Sequence, residues 1–156
     1  MAGNVDPDDP RKLTDFKLLS FDVHSTLIDE KGAFLTSLIT SFAITAMKHI
    51  RWDAVYTAQR IGSYKPDLRN FEFLIEHMGQ DLGVKKEEVL HTAQSLRADH
   101  VPAKKMNMTG VWIDRENEGQ DYEKLKDEVA YTWKFSTLGE MADAVEEAFE
   151  AQEKKV

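Results

Sequence analysis

The chain has no cysteine in its 156 residues. That absence excludes a disulfide framework, a thiolate metal site and a cysteine nucleophile, and it suits a reducing compartment. Basic charge is also short, with Lys and Arg numbering 20 against 28 Asp and Glu for a formal net charge of -8. Nucleic-acid binding needs a basic face to neutralise phosphates, so the balance argues against such a partner. Long apolar runs are missing as well. None approaches the roughly 20 residues of a bilayer span, and the opening MAGNVDPDDPRK lacks the apolar stretch of a signal peptide. The expectation is a cytoplasmic protein with no membrane partner.

What is present is enough for a packed core. Hydrophobic residues make up 42% and charged residues 31%, ordinary for a globular chain. The length predicts one domain, over residues 13–150, with 1–12 and 151–156 as disordered tails. Short apolar runs at Phe16 to Val23, Trp52 to Ala58, Glu88 to Ala93 and Gly110 to Arg115 read as strands, and Tyr131 to Ser136 adds a last one. Helical spacing or composition marks Ala33 to Ile50, Leu68 to Met78 and Val101 to Met106. Thr137 followed by Glu140 fits a capping box that opens a final helix. The alternation predicts an α/β fold, a parallel sheet with helices on both faces.

In "LLSFDVHSTLID" an apolar strand ends abruptly in Asp22 and small polar residues. Open parallel sheets place their ligands at the carboxyl ends of strands, which is where Asp22 falls. On its own, such an Asp is better read as an Asx turn or a helix cap. "IGSYKPDLRNFEFLI" then puts Lys65 on a turn before a helix, and "VLHTAQSLRADHVPAKKMNMTGVWIDR" puts Asp99 between a strand and a helix. Two acids and a lysine on the loop side of one sheet can converge on a pocket.

Here the sequence resembles the haloacid dehalogenase (HAD) superfamily, most closely its fungal proteins similar to type II 2-haloacid dehalogenases. Asp22 to Leu27 match the family's D-x-Y-G-T-L pattern with two substitutions, and Gly62 to Asp67 match G-S-Y-K-P-D without a break. The resemblance implies a Rossmannoid HAD-like fold, with Asp22 as the reacting aspartate, Lys65 stabilising its charge and Asp99 as the late acid. It also implies that Ser25 and Thr26 lie beside the substrate.

Two departures shape the expected activity. A family phosphatase carries a second Asp two residues after the first, where this chain has His24. Magnesium prefers oxygen ligands, so the replacement counts against a metal and predicts no cofactor. His24 reads equally as an acid or base and as a hydrogen-bonded spectator. The second departure is a deletion: only Glu30 to Ile50 separate the first motif from Arg51, too little for the family's helical cap domain. "GAFLTSLITSFAITAMKHI" reads as one apolar helical bridge, with the second motif expected near Leu35 to Ser37, where the match fails. Thr36 and Ser37 are candidates for its lost hydroxyl, with helix-surface positions as the plainer reading.

Without a cap or a carboxylate clamp, the leading expectation is Brønsted-acid chemistry. Some similar fungal proteins of secondary-metabolite pathways, including quinolone alkaloid pathways, open epoxides to cations and rearrange or cyclise them, which implies Asp22 as the acid on a small-molecule substrate. Tyr64, Trp52 and Trp112 are candidates to stabilise the cation by their ring faces, against the plainer reading of each as core. The rival readings are a nucleophilic Asp22 that hydrolyses 2-haloacids and a non-enzymatic accessory protein, the latter with a homodimer covering Phe34, Leu38 and Phe42 as one way to bury the bridge.

Overall fold

The computed structural model describes residues 4–5, 10–23, 25–27, 51–115 and 119–154. Among the described residues five strands form one sheet: β1 (Asn4–Val5), β2 (Leu18–Phe21), β3 (Val89–Ala93), β4 (Thr109–Ile113) and β5 (Trp133–Phe135). Their spatial order is β1-β5-β4-β3-β2, with β2 to β5 mutually parallel and β1 added antiparallel at the β5 edge. The helices are α1 (Ala58–Ile61), α2 (Arg69–Leu82), α3 (Val101–Lys105), α4 (Gly119–Leu125) and α5 (Leu138–Glu153).

Both faces of the central strands are covered, as a parallel sheet requires. On one face Leu90, Val111, Ile113, Trp133 and Phe135 pack against Met141 of α5. On the other, Val89 meets Phe71 and Met78 of α2 and Ala103 of α3, while Trp112 meets Leu125 of α4. The α/β architecture is the expected one.

Several boundaries differ from expectation. Trp52 to Ala58 is not a strand; the chain is irregular to Thr57, whose hydroxyl accepts from Arg60 N–H and starts α1. Its aromatic residues anchor side chains instead: Trp52 meets Phe21 edge-on, and Tyr56 meets Phe73. Helix α2 runs past Met78 to Leu82 and stops at Gly83, in the left-handed conformation at φ 65, whose N–H caps the Met78 carbonyl. Thr137 accepts from Glu140 N–H as expected, while the Glu140 carboxylate reaches back to Ser136 N–H, one residue short of a full capping box. At the ends, β1 and the last turn of α5 lie within stretches expected to be disordered. Backbone pairing with β5 accounts for the first and helix continuation for the second. The bridge from Ala33 to Ile50, with Phe34, Thr36, Ser37, Leu38 and Phe42, lies outside the described residues.

Candidate active site

Strand β2 ends at Phe21, and the Asp22 N–H continues the ladder by donating to the Thr92 carbonyl at 3.0 Å. The chain then turns sharply. Ser25 takes φ 59, in the left-handed region, and Leu27 N–H closes the turn on Val23 O at 3.0 Å. The turn brings Thr26 back over Asp22, where its hydroxyl donates to Asp22 Oδ2 at 2.9 Å. Thr26 Oγ1 in turn accepts from Gln94 N–H at 2.9 Å, which orients its proton towards the carboxylate. Arg115 locks the loop from outside, its guanidinium donating to the carbonyls of Ser25 and Thr26. Thr26 is fully buried, so its place is beneath Asp22 rather than against a substrate.

Lys65 arrives on the turn between α1 and α2. Asp67 N–H donates to Tyr64 O, and the Asp67 carboxylate caps Arg69 N–H, a local arrangement that fixes the turn. Its ammonium bridges the two acids, at 2.5 Å from Asp22 Oδ1 and 2.6 Å from Asp99 Oδ1. Asp99 comes from the π-helical turn Leu96–His100 that follows β3, its side chain 1% exposed. Thus Asp22, Lys65 and Asp99 meet at one edge of the sheet.

The charges reinforce one another. Burial alone would lower the Lys65 pKa, but Asp99 and Asp22 outweigh it and hold the ammonium above the ordinary lysine range. Burial alone would raise Asp99; hydrogen bonding and charge from His91, followed by those of Lys65, hold it below the ordinary aspartate range. Both groups are therefore ionised at neutral pH.

Not every expected residue joins them. Trp112 is 1% exposed, with its indole N–H donating to Gln94 O and its ring stacked on Tyr122. The Lys134 ammonium lies 4.4 Å from the ring centroid, so the cation-binding surface expected of Trp112 is already taken and the residue is core. Tyr64 is the opposite case, 79% exposed beside Lys65. His24 lies outside the described residues.

Sequence reasoning missed His91. Its Nε2 lies 3.2 Å from Asp99 Oδ1 and its Nδ1 3.1 Å from Ser20 Oγ. The available signal was a polar residue in each of two neighbouring apolar strands, which the parallel register sets side by side as Ser20 and His91. Magnesium fits poorly here. An ion bridging Asp22 and Asp99 would need the space that Lys65 Nζ fills, and no group of three or more His, Asp or Glu among the described residues is arranged to hold a metal.

No protein-family model matches the chain, and no curated protein does. Among solved structures it is similar to a HAD phosphatase from Thermococcus onnurineus, at 26% sequence identity and a TM-score of 0.46 over 68% of this chain. The matched region spans 41% of that phosphatase's length.

Proposed function

We propose that the chain is a metal-independent HAD-like enzyme that opens an epoxide on a bulky neutral natural product, of the kind made in fungal secondary metabolism such as a quinolone alkaloid, and rearranges or cyclises it. Asp22 is the reacting group, Lys65 its charge partner and Asp99 the buried anchor of Lys65. Among the described residues, the commitment of the cations at the site carries this reading. Lys65 is held by two carboxylates, and Arg115 by the carbonyls of Ser25 and Thr26, so neither is spare to grip a substrate carboxylate. A neutral epoxide needs no such grip. Asp22 in its acid form gives its proton to the epoxide oxygen as the C–O bond breaks, and the carbon left electron-poor rearranges or is captured within the molecule. The proton that the product loses returns to Asp22. During the step, two carboxylates against one ammonium leave one negative charge beside the cation.

A second reading is favoured by the hydrogen bonds of Asp22 itself. Oδ1 accepts from Lys65 and Oδ2 from Thr26, the pattern of an ionised carboxylate. Such a group attacks carbon as a nucleophile, displaces halide or opens the epoxide, and forms an ester that water hydrolyses. Single turnover in oxygen-18 water distinguishes the two. The acid keeps both Asp22 oxygens, whereas the nucleophile gains label in the Asp22 peptide by mass spectrometry. Label together with halide release from 2-haloacids would refute the epoxide reading, and failure to turn over either substrate class would favour the accessory protein.

A further inference from the structure

We infer that His91 is a positioning residue: from the floor of the site it fixes Asp99 as an acceptor, and through Asp99 it sets where Lys65 holds its ammonium between the two carboxylates. The strand register builds the contact. Ser20 and Asp22, two residues apart, face the same side of the sheet, and His91 is the cross-strand partner of Ser20. The imidazole therefore sits directly under the Asp22 end of β2, with the Phe71 ring edge-on at 5.2 Å closing the other side.

Hydrogen-bond directions follow from valence. Asp99 is ionised and has no proton to give, so His91 Nε2 must carry the hydrogen of the 3.2 Å contact. On the other side of the ring Nδ1 pairs with the Ser20 hydroxyl, 3.1 Å away, a group able to donate or accept. Ser20 thus holds the ring in the orientation that Asp99 requires. Oδ1 of Asp99 receives both the His91 N–H and the Lys65 ammonium, and a carboxylate 1% exposed has little access to replacement water. Removing the histidine donor leaves Lys65 as the one strong partner of that oxygen, and Lys65 is drawn away from Asp22. The groups facing this pair are Ser20 of β2, Phe71 of α2, His100 at the end of the π turn and Lys65 above, with Asp22 beyond it.

The consequence for turnover rests on Asp22 being the reacting group; the effect on Asp99 does not. Carboxyl carbon-13 NMR of the full chain, titrated with acid, reads Asp99 and Asp22 separately. His91→Leu is expected to raise the Asp99 midpoint by about one to two pH units, the size of a lost hydrogen bond to a charged group. His91→Gln places an amide N–H near the lost Nε2 and is expected to restore most of the shift. Ser20→Ala frees the ring and is expected to move the midpoint in the same direction by less, which provides the measurement if His91→Leu does not fold. An Asp99 midpoint unchanged by the Leu and Ala variants overturns the inference, as does a Gln variant that shifts as far as Leu. A positive titration with no epoxide turnover would uphold His91 and remove the reading of Asp22.

Discussion

Acid is expected to destabilise this fold through His100 well before Asp99 protonates. The ring is fully buried, Nε2 donates to Ala93 O at 3.1 Å, and Nδ1 makes no well-formed hydrogen bond, the Ala130 carbonyl interacting with the ring only weakly. It packs over Gly110, where an added Cβ would lie only 3.2 Å from Nδ1, and it meets Tyr131 edge-on. Burial pushes its pKa from an ordinary 6.5 down to about 4. The unfolded chain therefore binds a proton that the folded chain refuses, so this contribution is intact above pH 6.5 and is lost as pH falls from there towards 4. A displacement of that size corresponds to about 3 kcal/mol by pH 4, a large share of the stability of a domain this small. Urea unfolding at half-unit steps between pH 7 and 4 measures it, with His100→Gln as the reference that cannot titrate. The variant is expected to be weaker at pH 7 and to lose stability less steeply, so that the two curves converge in acid. A wild-type minus variant difference that stays flat across the window would refute the argument.

Lys65→Met leaves two facing carboxylates without their shared cation, and a loss of roughly 3 kcal/mol at pH 7 is expected in urea unfolding. The loss is expected to shrink in acid, since the Asp99 contribution exists above the ordinary aspartate range and vanishes as pH falls through its lowered folded-state value. Ser25→Gly removes a side chain from φ 59 and is expected to raise stability by roughly 0.5–1 kcal/mol in thermal melts. A simultaneous rise in KM would show that the Ser25 hydroxyl touches substrate. Trp112→Phe removes the indole N–H bonded to Gln94 O, with an expected cost of about 1–3 kcal/mol and no change in substrate preference; a changed product distribution would return Trp112 to the site.

The meeting of Asp22, Lys65 and Asp99 was legible because each sits where a strand or a helix-initiating turn hands over to a loop, and parallel sheets gather such loops at one edge. The stretch from Trp52 to Ala58 misled for the opposite reason. Val55 and Tyr56 have strand propensity, but they pair with no strand of the sheet, and the aromatic rings of Trp52 and Tyr56 are used in side-chain packing instead. His91 stayed hidden because every residue of β3 is buried. A strand covered on both faces has no polar alternation, so nothing local distinguishes a histidine that serves a site from one that fills a core.

The turn after β3 explains how one short segment serves both site and core. Val101 N–H bonds back to Leu96 O, five residues away, which makes Leu96–His100 a π turn rather than an α turn. A wider turn rotates successive side chains through a smaller angle, so neighbours diverge less. Asp99 and His100 can consequently both point inward, at 1% and 0% exposure, while Arg97 stays outside. Their needs are opposite: Asp99 must remain charged beside Lys65, and His100 must remain neutral against Gly110. The fold meets both by giving Asp99 two strong donors and His100 a carbonyl and an apolar slot. Acid reverses that assignment from the His100 side first, because His100 takes up its proton at about pH 4 while Asp99 is held below the ordinary aspartate range.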